Sequence, residues 1–161
     1  MSIKVLESLK DAGATYEVID CEPSFADTAE FCNHYGYSLD ESANAILLEG
    51  KAESPVYALC VVLATTRINV NKVARKRLGT RKASFASAEI TKELTGMEIG
   101  GVTPVGLPVD LPIWIDSLVM ETRKVIIGAG SRSAKIYLSP DNLLRFPNTH
   151  IVDGLSMPIV N

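Results

Sequence analysis

The sequence is poor in the residues that redox and metal chemistry use. Its 161 positions hold three cysteines, two histidines and one tryptophan. Cys21, Cys32 and Cys60 are odd in number and have no Cys-x-x-Cys spacing, which argues against a disulfide framework and against structural zinc. His34 and His150 stand far apart with no ligating neighbours, so no metal and no cofactor is expected. Cys60 is expected in the core, and nothing marks Cys21 as a nucleophile. Long apolar runs are missing as well. The longest, Val56 to Ala64, is far short of the ~20 residues that cross a bilayer. The start, Met1-Ser2-Ile3-Lys4, lacks a signal-peptide pattern, so the expected setting is the cytoplasm, away from membranes. No Gly-x-Ser-x-Gly nucleophile elbow occurs. The stretch Gly128-Ala129-Gly130-Ser131-Arg132-Ser133 lacks the third glycine of a dinucleotide fingerprint. The strand-like Ala-Lys-Ile-Tyr-Leu follows it where a helix should begin, so it reads as a hairpin turn near a pocket.

What is present is a globular composition: 47% hydrophobic residues and a formal charge of −3. That length and apolar share predict one domain over residues 1–161. The total charge hides an uneven distribution. From Ser54 to Ala88 there is no acid and there are seven bases: Arg67, Lys72, Arg75, Lys76, Arg77, Arg81 and Lys82. The rest of the chain sets nine bases against nineteen acids, a formal −10. Such asymmetry marks either a polyanion-binding face or an ordinary solvated helix surface.

Periodicity predicts a helix over Ser2–Ala12, a strand over Thr15–Asp20 and a helix from Asp27 or Thr28 to Tyr35. The runs Ala43–Glu49 and Tyr57–Thr65 read as strands, the second of them central and fully buried. Asn69 is expected to cap a helix ending at Leu78, with Val70, Val73, Ala74 and Leu78 facing inward and the bases facing out. Another helix spans Ser87–Leu94. Strands are expected at Ile113–Ile115, Lys124–Ile127, Ala134–Leu138 and His150–Val152, with a helix starting at Ser139-Pro140 and a polar tail at the end. This irregular alternation predicts an α+β domain with a mixed, mostly antiparallel sheet flanked by helices.

The segment Gly100 to Pro112 holds three glycines and three prolines in thirteen positions, which predicts a long shaped loop. Paired glycines leave consecutive backbone N–H groups free of Cβ cover, suiting a carbonyl or phosphate oxygen, or an oxyanion hole. A purely structural loop is the competing reading.

Together these pieces resemble the YbaK/EbsC-type aminoacyl-tRNA editing domains, relatives of the insertion domain of prolyl-tRNA synthetase. The resemblance is carried by Asn71-Lys72-Val73-Ala74, Leu78-Gly79, Thr95-Gly96 and the loop Gly100-Gly101-Val102-Thr103-Pro104-Val105-Gly106. It continues through Leu111-Pro112-Ile113, Ile115-Asp116, the Gly128–Ser131 turn and Ile136-Tyr137-Leu138-Ser139-Pro140-Asp141-Asn142-Leu143. It implies a partly barrel-like sheet and a trans-acting deacylase that hydrolyses the ester of a mischarged tRNA without a cofactor. It also implies the tRNA acceptor end as partner, with an aminoacyl-tRNA synthetase as a further candidate. Gly100, Gly101, Thr103, Pro104 and Gly106 carry over as pocket residues, as does Asp116, with Gly128, Gly130 and Ser131 beside them.

One departure stands out. Many members have lysine in the short strand after the second helix, whereas this chain has Ala43-Asn44-Ala45-Ile46, so an uncharged amide replaces a cation. The expected mechanism binds the oxyanion on the Gly100 and Gly101 amides. Water is oriented by Asn44, by Thr103 or by the substrate's ribose hydroxyl, and Asp116 orders the loop. Lys72, Arg75, Lys76, Arg77, Arg81 and Lys82 would track phosphates. Asn44 also keeps open a non-catalytic module that binds a tRNA end or an amino-acid metabolite. A DNA-binding role would rest on the basic stretch alone, without a helix-turn-helix pattern.

Overall fold

The computed structural model describes residues 1–159. In chain order the elements are α1 (Ile3–Asp11), β1 (Glu17–Asp20), α2 (Thr28–Tyr35), β2 (Ala43–Gly50), β3 (Val56–Leu63) and β4 (Thr66–Ile68). Then come α3 (Arg75–Leu78), β5 (Ala83–Phe85), α4 (Ala88–Thr95), β6 (Ile113–Asp116), α5 (Ser117–Met120), β7 (Val125–Gly128), β8 (Ala134–Leu138), β9 (Thr149–Val152) and β10 (Ser156–Pro158). Among the described residues, no helix is long and apolar enough to cross a membrane.

Local chemistry explains most boundaries. The Ser2 hydroxyl accepts from the Val5 amide and starts α1, and the Ser87 hydroxyl accepts from Ile90 and starts α4. Gly36 and Gly96 end α2 and α4 at left-handed φ values of 78° and 75°. The basic helix departs from the regular helix expected after Asn69. The amides of Val73 and Ala74 both return to the Asn69 carbonyl, which widens Val70–Ala74 into a π-type turn before α3.

β3 is the centre of the molecule. It pairs antiparallel with β2 and parallel with β6, giving a five-stranded order β5-β2-β3-β6-β9. Its side chains alternate between two cores, as a strand covered on both faces requires. Leu59 and Val61 pack with Leu47, Ile113, Ile115 and Ile136, while Ala58, Cys60 and Val62 pack with Leu48, Trp114 and Leu155 beneath the basic helix. Cys60 is fully buried, as expected, and desolvation pushes its thiol up to about 12. A second sheet, β1-β8-β7, is antiparallel throughout. A single parallel bridge, Ser42 to Ile126, joins the two sheets. The fold is thus α+β with mostly antiparallel pairing, but the partly barrel-like closure does not form. The large sheet ends at the short strands β5 and β9, and one bridge cannot seal the gap.

Part of the expected polar tail is ordered. β10 pairs antiparallel with β4, and the last two residues lie outside the described chain. Asp116, 1% exposed at the end of β6, accepts from the Ser156 amide at 3.4 Å and from the Ser156 hydroxyl, so it pins β10 to the sheet. Replacing it by alanine strands buried donors. Asp116→Ala should cost about 1–3 kcal/mol in urea unfolding.

Candidate functional site

The glycine loop and the β7–β8 turn meet backbone to backbone. The Gly130 amide donates to the Gly101 carbonyl at 2.7 Å. A Cβ on Gly101 would lie 2.7 Å from the Ser131 backbone, and one on Gly128 would collide with the Val102 carbonyl. Gly100, at φ 91°, holds a backbone shape that other residues rarely adopt. Arg132 then staples the turn to its surroundings. Its guanidinium donates to the Ile99 carbonyl at 2.8 Å, the Pro23 carbonyl at 3.1 Å and Asp27 Oδ1 at 3.1 Å.

This contact forms one wall of a cavity of about 420 Å³. The opposite wall is the edge of β2 from Ala43 to Leu47. That edge is open as far as Ile46, because β5 pairs with Leu48–Gly50 and only the Ala86 amide extends the pairing, to the Leu47 carbonyl at 2.9 Å. Phe85, Ala86, Thr91 and Ile99 surround the rest, and Asp27 and Thr28 of the α2 start reach in from the side.

Lys135 of β8 also lines the cavity, and sequence reasoning missed it. It is 6% exposed; its ammonium donates to the Gly100 carbonyl at 2.8 Å and lies 5.7 Å from the Phe31 ring centre. Desolvation pulls its pKa below the usual 10.5, partly offset by the neighbouring Cys21, Asp27 and Cys32 and reinforced by Arg132. Within Ala-Lys-Ile-Tyr-Leu it reads as an outward polar residue of an alternating strand. Its face of β8 lies under α2, and the Gly100 carbonyl takes its ammonium.

Of the predicted site residues, Asn44, Gly100 and Gly128 line the cavity. Asn44 is held by Thr28, whose hydroxyl donates to Asn44 Oδ1 at 2.6 Å. That bond occupies the amide oxygen and leaves the Asn44 NH2 as a donor. Gly101 is buried behind the wall and its amide donates to the Glu98 carbonyl at 2.9 Å, so it is not a free oxyanion donor. No protein acceptor takes the Gly100 amide among the described residues. Thr103 is fully buried away from the cavity, with its hydroxyl unpaired. Pro104 and Gly106 line a separate groove beside Ser8 and Arg145. Asp116 serves β10, as described above. Gly130 and Ser131 shape the turn from behind, the Ser131 hydroxyl bonding to that of Ser133.

The basic stretch forms a surface of its own. Lys72, Lys76, Arg77, Arg81 and Lys82 are exposed, and the Arg77 guanidinium lies 5.1 Å from the Trp114 ring centre. Arg75 is tied inward, to the Asn71 and Thr80 carbonyls. A shallow basic cradle runs between Lys51, Arg75, Arg81 and Lys82 and ends at Ala83 and Ser84 of β5. The next residue along, Phe85, belongs to the cavity. Among the described residues, no group of histidine, cysteine and carboxylate side chains could hold a metal. His34 stacks on Phe25 at 3.9 Å, and His150 pairs with Asn148.

Comparison with known proteins agrees with this architecture. The model of the aminoacyl-tRNA editing domain family matches residues 22–146. The uncharacterized protein YwhH of Bacillus subtilis is 32% identical over 130 residues, covering 81% of this chain and 80% of that one. EbsC of Enterococcus faecalis, a candidate Cys-tRNA(Pro)/Cys-tRNA(Cys) deacylase by name, is 26% identical over 99 residues, covering 62% and 58%. The crystal structure of a candidate trans-editing enzyme for prolyl-tRNA synthetase superposes with a TM-score of 0.79 at 24% identity, covering 95% and 97%. That of hypothetical protein APE2540 gives 0.84 at 25% identity, covering 96% and 99%.

Two substitutions test these placements. Thr103→Val removes an unpaired buried hydroxyl with little change of shape; it should raise stability by up to about 1 kcal/mol and leave ligand binding unaltered. Lys135→Met keeps the stem and removes the charge. Burial penalises the wild-type ammonium most below its folded-state pKa. The penalty lifts as pH rises from there towards 10.5, because the unfolded chain then holds more protons. Urea titrations should therefore show the wild type gaining stability relative to Lys135→Met over that alkaline window.

Proposed function

The chain belongs to the aminoacyl-tRNA editing domain family, and from that premise we propose that it is a trans-acting deacylase hydrolysing the ester of a mischarged tRNA. The observation that carries the reading is that three residues lining one cavity keep donors not taken by the protein: the Asn44 NH2, the Gly100 N–H and the buried Lys135 ammonium. An aminoacyl ester is already activated, so stabilising the developing oxyanion supplies much of what hydrolysis needs, and one such donor is worth about 3–4 kcal/mol. Lys135 spends one of its three N–H groups on Gly100 and has two to offer. It supplies, from β8, the positive charge that Asn44 does not supply from β2.

The terminal ribose and aminoacyl group would enter beside Gly100. Water would attack the carbonyl, positioned by the Asn44 NH2 or by the free ribose hydroxyl. The cavity's apolar lining, Ala45, Leu47, Ile99 and Val102, would select a small side chain by volume, a weak discriminator of single methylenes. The cation surface of Lys72, Lys76, Arg77, Arg81 and Lys82 would follow acceptor-stem phosphates, and a synthetase could deliver the substrate.

A second reading, a module that holds the tRNA end without turnover, draws on the one acid of the cavity wall. Asp27 is committed to Arg132 and is poorly placed as a base. Release of Ala, Cys, Ser and Thr from mischarged tRNAs separates the two. We expect turnover above buffer for at least one ester, lowered about 10²-fold in Lys135→Met. Gly101→Ala should also fall, because its Cβ would displace the loop from Ser131. Binding without any turnover across the panel would leave the second reading standing.

A further inference from the structure

Large exposed apolar side chains are scattered over the surface, but two of them share the mouth of the cavity. Phe85 is 57% exposed and Ile99 is 52% exposed, and both line it. Phe85 packs on no other aromatic ring among the described residues. It ends β5, the edge strand whose first two residues, Ala83 and Ser84, border the basic cradle of Lys51, Arg75, Arg81 and Lys82. A three-residue strand therefore carries a cationic groove at one end and a bare aromatic face at the other, with the cavity beyond. No acid interrupts the chain from Ser54 to Ala88.

Cations that follow a backbone, together with an aromatic face on which a base can lie, are the two elements of single-stranded nucleic acid binding. We propose that Phe85 is a stacking platform for an unpaired base at the 3′ end of RNA, the nucleotide next to the one seated in the cavity. Ile99 closes the opposite side of that base, and Arg81 and Lys82 hold the phosphates that precede it. The inference rests on the RNA-end reading above but not on turnover. It makes the protein a reader of a single-stranded overhang rather than of a duplex.

The probe is an uncharged fluorescent RNA hairpin with a four-nucleotide 3′ extension ending in adenosine, compared with the same hairpin made blunt. Fluorescence anisotropy at several salt concentrations reads both affinity and salt slope. The wild type should prefer the extended RNA. Phe85→Ala should weaken that binding about tenfold, with the blunt RNA and the salt slope unchanged, because stacking releases no counterions. Phe85→Trp should restore it. Arg81→Ala should instead flatten the salt slope for both RNAs. Phe85 is mostly exposed, so unchanged thermal unfolding of Phe85→Ala is expected and separates lost stacking from lost fold. No overhang preference in the wild type, or equal losses on both RNAs in Phe85→Ala, would overturn the proposal. Overhang binding by a protein that hydrolyses no ester would remove the deacylase and keep the platform. Turnover with unchanged kcat/KM in Phe85→Ala would do the reverse.

Discussion

The site depends on one close approach of two backbones. Where the glycine loop meets the β7–β8 turn, the chains touch without side chains between them: the Gly130 amide bonds to the Gly101 carbonyl, and Gly128 lies under the Val102 carbonyl. Any Cβ at that seam would part the two segments. The seam places Gly100 over Lys135, and Arg132 locks the same junction to the start of α2. The glycines are thus needed mainly for proximity. The chemistry they permit belongs to neighbours brought within reach.

That distinction explains how far the sequence could be read. Glycine and proline density announced a shaped loop, and the acid-free stretch announced a cationic surface, because both are local and compositional. The central strand was legible too, since β3 is apolar on both faces and both faces are covered. Which loop residues would face a ligand was not legible. Asn44, Gly100 and Gly128 reach the cavity, while Thr103, Pro104 and Gly106 point into the body of the fold or a separate groove. Neighbours in sequence part company when a loop doubles back, and no periodicity records the turn.

Lys135 shows the opposite failure. A lysine in an alternating strand is ordinarily solvated, so nothing local distinguishes it from Lys124 on the neighbouring strand's approach. Its burial arises from sheet packing against α2 and from the Gly100 carbonyl more than thirty residues upstream. β4, β5 and β10 were missed for a different reason. At three residues each they carry too little pattern to register, yet β5 decides where the cavity ends and where the cationic groove begins.

The incomplete pairing of β2 has a consequence of its own. A strand edge left bare is usually a hazard, because another chain can dock on it. Here the bare length runs only from Ala43 to Ile46, between the Ser42 bridge to β7 and the Leu47 carbonyl, which accepts from the Ala86 amide just past β5. Such a short notch offers a foreign strand few ladder bonds. It still offers unspent amide and carbonyl groups to something small and flat. The fold thus keeps a short break in its own ladder, and that break forms a wall of the cavity.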